Sequence, residues 1–178
     1  MKRTPVYGLM AEFDTPTALV EAARETYSAG YKKIDAYSPF PIEELGEAIG
    51  FHRNNVPLVV LLGGVLGGLS GYLMQYWISA ISYPINVGGK PYHSWPAFIV
   101  VTFEMTILFA GISAVFGMLA LNGLPMPYHP VFNVPRFAFA TKDRFFLIIF
   151  SSDAKYDASG TRSFLEGLHP RSISEVPS

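Results

Sequence analysis

Two long apolar runs in the middle of the chain constrain it more than any other feature. Pro57 to Ile81 (PLVVLLGGVLGGLSGYLMQYWISAI) carries no Asp, Glu, Lys or Arg, and Ala97 to Leu121 carries Glu104 alone. A bilayer-spanning helix needs roughly 20 predominantly apolar residues. Both runs therefore read as transmembrane helices, over 56–81 and 97–121. Buried helices of soluble domains usually keep a polar face, and neither run has one. The mean hydropathy of +0.28 averages these helices with flanking segments of ordinary polarity.

The positive charges sort by segment. Lys2, Arg3, Arg24, Lys32, Lys33 and Arg53 precede the first run, Lys90 alone lies between the runs, and Arg136, Lys142, Arg144, Lys155, Arg162 and Arg171 follow. The positive-inside rule then predicts residues 1–55 and 122–178 on the cytoplasmic side and a periplasmic loop over 82–96. The expectation is a multi-pass membrane protein with both termini on the cytoplasmic side. Trp77, Tyr83, Tyr92 and Trp95 cluster at the outer end, as in an interfacial aromatic belt. No apolar stretch closely follows Met1-Lys2-Arg3, so the expectation is an uncleaved chain whose first span is the insertion signal.

The flanking segments read as two halves of one domain. Val6 to Phe13 (VYGLMAEF) is a buried strand by its apolar density. Thr15 offers an N-cap with Pro16 behind it, and Leu19, Val20, Ala23 and Tyr27 line one face of a helix ending at Gly30. Lys32 to Tyr37 is a more polar strand, and Ile42 to Gly50 is a short surface helix. After the second span, Arg144 to Ser151 is a dense strand. Asp157 or Ser159 caps a helix bearing Phe164, Leu165 and Leu168, and Arg171 to Val176 is a polar strand. Two β-α-β halves with apolar first and third strands fit the split ferredoxin-like pattern. The predicted fold class is thus an α+β membrane protein, a two-helix hairpin inserted in a split ferredoxin-like cytoplasmic domain.

Within the first span, Gly63, Gly64, Gly67, Gly68 and Gly71 repeat at spacing four, the small-residue pattern by which helices pack closely in lipid. The partner face is either the second span, through Ala110, Ser113, Ala114 and Gly117, or another protein; the breadth of the stripe favours an additional partner. Glu104 lies about 12 Å inside its helix at 1.5 Å per residue, at the depth of Tyr72, Gln75 and Tyr76. Two roles suit it: a buried polar tie through Gln75, Tyr76 or a neighbouring subunit, and a member of a proton relay.

Other chemistry is narrowly bounded. With no cysteine, thiolate metal sites, iron–sulfur clusters and covalent haem c are excluded for this chain. His52, His93, His129 and His169 all lie outside the spans, so the hairpin cannot build a bis-histidine haem. The glycines of the first span lack the Lys-Ser/Thr of a phosphate loop. Glu43, Glu44, Glu47 and His52 read as a solvated face, and His129, in a proline-flanked loop, as a hydrogen-bond anchor. No basic stripe with interleaved aromatics points to nucleic acid.

Four segments also carry a family resemblance: VYGLMAEFDTPTALVEAA, the glycine-rich first span, SWPAFIVVTFEMTILFAG (Ser94 to Gly111) and MPYHPVFNVPRFAFATKDRFFLIIF (Met126 to Phe150). Together they resemble the membrane protein with two transmembrane helices that forms part of bacterial alternative complex III, a quinol:electron-acceptor oxidoreductase of respiratory chains. The resemblance implies a non-catalytic subunit with no cofactor of its own. It also implies haem c, iron–sulfur clusters and quinone in partner subunits, among them large multi-span proteins associated with quinol oxidation. Glu104 falls on the family's Phe-Glu motif. A direct part in proton translocation through Glu104, and an autonomous membrane-tethered sensor binding a small ligand, are the competing expectations.

Overall fold

The computed structural model describes residues 6–51 and 54–178. Lys2, Arg3, His52 and Arg53, which entered the charge and metal readings, lie outside the described residues. In chain order the elements are β1 (Val6–Phe13), α1 (Pro16–Ser28), β2 (Ile34–Tyr37), α2 (Glu43–Ala48), α3 (Val56–Tyr76) and a π-helical turn (Trp77–Ser82). Then follow α4 (Trp95–Leu121), two 3-10 turns (Pro130–Asn133 and Pro135–Thr141), β3 (Phe145–Phe150), α5 (Ala158–Gly167) and β4 (Ser172–Pro177). They form two compact units, one from residues 6–51 with 127–178 and one from residues 54–126.

The first unit is built on a four-stranded sheet of order β2-β3-β1-β4, with every neighbouring pair antiparallel. The two apolar strands are central: Gly8 pairs with Phe150 and Phe13 with Phe145. Central strands covered on both faces have no polar side to offer, which is why VYGLMAEF and FFLIIF read as near-continuous apolar runs. Leu9, Ala11, Phe13, Leu147 and Ile149 face one layer, packed with Leu19, Val20 and Ala23 of α1 and Leu165 of α5. The helix starts follow local chemistry. Thr15 Oγ1 accepts the Ala18 N–H at 3.2 Å ahead of Pro16, and Asp157 Oδ2, not Ser159, accepts the Gly160 N–H at 2.7 Å.

Among the described residues, no long helix covers the opposite sheet face. Met10, Phe146, Ile148 and Val176 are covered by Val131, Val134, Phe137 and Ala140, one residue in three along the Pro130–Thr141 segment. A 3-10 helix has three residues per turn, so this spacing puts all four on one side, and Pro130 and Pro135 each open a turn where a missing N–H costs nothing. Strand β2 starts at Ile34, later than expected from Lys32. The N–H groups of Lys32 and Lys33 donate instead to Asp153 Oδ2, at 2.7 and 2.6 Å, and that of Lys155 donates to Oδ1 at 2.8 Å. Burial pushes the Asp153 carboxyl up, but these backbone donors outweigh it and its pKa is lowered.

The second unit is a pair of packed helices, each apolar and long enough to cross a membrane: Val56–Ser82 and Trp95–Leu121, 27 residues apiece. Helix α4 begins two residues before the predicted Ala97, because Pro96 sits in its first turn, where proline is tolerated.

Candidate functional site

Close contact between α3 and α4 is made possible by glycine. A Cβ built on Gly67 would collide with the Met105 carbonyl oxygen and lie 2.7 Å from Phe109 Cβ. One on Gly63 would collide with the Ser113 side chain, and one on Gly71 would lie 2.9 Å from Met105 Cβ. Gly64 faces Thr106 and Ala110, and Gly68 faces Thr106. From the other side, Gly117 receives Val59. All five glycines of the first span thus look onto α4, and Gly63 and Gly68 stay partly exposed.

Polar groups close the end of this seam near the connecting loop. Gln75 Nε2 donates to the Phe98 carbonyl at 2.9 Å, to its own helix at Gly71 O (3.2 Å), and to Thr102 Oγ1 at 3.4 Å. Tyr72 Oη and His93 Nε2 are hydrogen-bonded at 2.6 Å, and the Tyr76 ring meets the His93 ring edge-on at 5.2 Å. Interhelical side-chain hydrogen bonds in lipid contribute on the order of 1 kcal/mol. Gln75→Leu should therefore lower the detergent denaturation midpoint of the chain by an amount corresponding to about 1 kcal/mol; no change would show that the Phe98 carbonyl loses nothing.

Glu104 is not brought to Gln75 or Tyr76. Its side chain is exposed, and among the described residues no hydrogen bond or ion pair reaches its carboxyl. At 100° per residue it points about 160° away from both Thr102 and Thr106, which line the seam. The level opposite it on α3 is that of Gly71, whose built Cβ would meet Thr102 and Met105.

The loop between the helices, with the adjoining helix ends, encloses a cleft of about 320 Å³ lined by Ile78, Tyr83, Lys90, Tyr92 and Phe98 among others. Among the described residues, no group of three or more His, Asp or Glu side chains is gathered as a metal site.

In the sheet unit the structure assembles a charge cluster that sequence reading overlooked. Glu12 is the penultimate residue of an apolar strand yet is 1% exposed. Arg136 grips it with two hydrogen bonds, Nε to Oε2 and Nη2 to Oε1, both 2.6 Å. Ser172 Oγ donates to Oε2 at 2.9 Å, and the guanidinium groups of Arg144 and Arg171 each bring Nε within 3.8 Å of Oε1. Both of these arginines also pair with Asp14. The Arg136 hydrogen bonds, with help from Ser172 and the neighbouring charges, outweigh burial and hold the Glu12 carboxyl below its ordinary range. A carboxylate so held is a fastening for β1, β3, β4 and the Pro135–Thr141 turn. It is not poised to exchange protons near neutrality. The sequence signal was present: an acid at a core-facing position of an apolar strand demands a buried partner.

His129 serves as an anchor in the same unit. Its Nδ1 accepts the Val131 N–H at 3.4 Å, and its Nε2 lies 3.4 Å from Tyr7 Oη.

Comparison with curated proteins finds no match. A protein-family model described as alternative complex III, ActD subunit, matches residues 7–175. That match runs through both units described above, and the chain belongs to the family of ActD subunits of alternative complex III.

Proposed function

We propose that the chain is a non-catalytic structural and assembly subunit of a respiratory quinol:electron-acceptor oxidoreductase. The observation that carries this reading is the family match over residues 7–175. In this reading the hairpin packs against the large multi-span subunits of alternative complex III. Haem c, iron–sulfur clusters and quinone belong to partner subunits, consistent with a chain that has no cysteine. Residues 56–81 and 97–121 span the bacterial inner membrane, 82–96 lie in the periplasm, and 1–55 with 122–178 form one cytoplasmic domain. The strand order β2-β3-β1-β4, with α1 following β1 and α5 following β3, supports a split ferredoxin-like fold for that domain.

The outward surfaces of the helix pair fit a membrane and assembly role. Leu62, Leu66, Leu69 and Leu73 on α3, and Ile99, Phe103, Ile107 and Val115 on α4, are all exposed. Apolar area of this extent needs lipid or protein to cover it. The test is purification of the C-terminally tagged chain in mild detergent, with the haem absorption spectrum and subunit composition of the product recorded. Haem-bearing and iron–sulfur chains at fixed ratio are expected. A colourless, solitary protein would sink the reading in favour of a tethered sensor.

A further inference from the structure

We infer that the face of α4 carrying Glu104 and Gly111 docks a transmembrane helix of a different polypeptide, one that presents a hydrogen-bond-donating or cationic side chain to the Glu104 carboxyl. The inference rests on the reading of the helix pair as a membrane hairpin within a multi-subunit complex.

The hairpin itself cannot satisfy Glu104. Gln75, the side chain nearest in chemistry, is committed to the Phe98 carbonyl and Thr102, and Glu104 projects from the opposite side of α4. Water is also out of reach. Glu104 lies on the order of 13 Å inside the Trp95 end of its helix at 1.5 Å per residue, and a two-methylene side chain cannot snorkel that far as Lys and Arg do. An ionisable group left facing lipid is costly, and such groups pair within a bundle or with a partner.

Gly111 supplies the second observation. It follows Glu104 by two turns on the same face, and a Cβ built on it meets nothing within 4 Å. The hairpin glycines are filled by α4; this one is open. A glycine with free space over it lets a second backbone come close, and Val100, Ile107, Leu108 and Val115 flank the notch as exposed apolar walls. A second copy of this chain is a poor occupant. A two-fold contact centred on this face would set one Glu104 against the other, bringing together two acids where a donor is required.

The experiment uses cells carrying the whole complex, with the photo-crosslinker p-benzoylphenylalanine incorporated in place of Leu108, which lies one turn from Glu104. The tagged chain is irradiated in the membrane and purified. A crosslink to a different membrane polypeptide is expected. It should persist in Glu104→Gln, which keeps hydrogen bonding, and fall roughly five- to tenfold in Glu104→Leu, the range of a lost interhelical hydrogen bond. Gly111→Leu should reduce it as well. A disulfide between Gly64→Cys and Ala110→Cys, formed equally in every background, shows that the hairpin is intact. Crosslinks to lipid alone or to another copy, or equal yields in Glu104→Leu and the parent, with haem-bearing partners still copurifying, would overturn this docking face only. Loss of those partners from the unsubstituted chain would overturn the subunit reading and this face with it.

Discussion

Gly67→Leu is expected to pull α3 and α4 apart. Position 67 is where α3 meets the backbone of α4 directly: the first atom a Cβ would strike is the Met105 carbonyl oxygen, with Phe109 Cβ at 2.7 Å. A side-chain tip can rotate away, but a carbonyl held in a helical ladder cannot move without its helix. Overpacking in a well-packed interior costs about 1–3 kcal/mol, and a clash with backbone belongs at the upper end. Separation would also forfeit the contacts on either side of it, Gly63 with Ser113 and Gly71 with Met105. The readout follows from the absence of native cysteine. A Cβ on Gly64 lies 3.6 Å from Ala110 Cβ, inside the span of about 3.5–4.5 Å that a disulfide requires. The Gly64→Cys/Ala110→Cys pair should oxidise readily in the parent and poorly once Gly67→Leu is added. Gly111→Leu, on the open face of α4, should leave oxidation unchanged. Rapid oxidation in the Gly67→Leu background would mean that the seam tolerates bulk where the geometry denies it.

The glycine stripe shows how far periodicity reaches. Spacing at four marked Gly63, Gly64, Gly67, Gly68 and Gly71 as a packing face, and each one does face another helix. Spacing alone does not count helices. Glycines at adjacent positions favour an additional partner; in the structure α4 meets both, through Ser113 at Gly63 and through Thr106 and Ala110 at Gly64, while Gly63 and Gly68 stay partly exposed. The same limit applies to Glu104. Its depth along α4 follows from 1.5 Å per residue, but its direction depends on which residues of α4 enter the seam. Once Thr102 and Thr106 are there, Glu104 must look elsewhere.

In the sheet unit, legibility follows the range of the interaction. The central strands were visible because burial on both faces leaves an apolar run, and the helix starts because capping side chains such as Thr15 and Asp157 bond within three residues of themselves. The cover over the second sheet face escaped notice. Val131, Val134, Phe137 and Ala140 repeat at three, a period that matches neither an α-helix nor a strand, and prolines interrupt it. The ion cluster escaped for a different reason. Glu12, Arg136, Arg144 and Arg171 lie far apart or on different elements of the chain, and only the sheet register, which sets Glu12 opposite Phe146 and Ser172, together with the Pro135–Thr141 turn over that face, makes them neighbours.

That cluster carries the second large prediction: Glu12→Gln should destabilise the sheet unit by about 1.5–3 kcal/mol, the range for hydrogen bonds to charged groups. The amide keeps the shape but turns one acceptor into a donor, and that donor faces the guanidinium groups of Arg136, Arg144 and Arg171. The cost stays below the several kcal/mol of a stranded buried charge, because Arg136 and Arg171 are near enough to the surface to regain water. Acid should expose the same term in the parent. The folded carboxyl titrates below its ordinary value of 4.5, chiefly through the Arg136 hydrogen bonds. Its contribution is therefore fully present above that value and is lost as the pH falls through the depressed folded one. Hydrogen exchange at the amides of β1 and β3, read at neutral pH and then in steps below about pH 4.5, isolates this unit from the helix pair. Protection in the parent should weaken with acid and converge on that of Glu12→Gln, whose protection should change less over the same steps. Equal protection in the two proteins at neutral pH would mean that the arginines are held by Asp14 and solvent, and that the buried carboxylate fastens nothing.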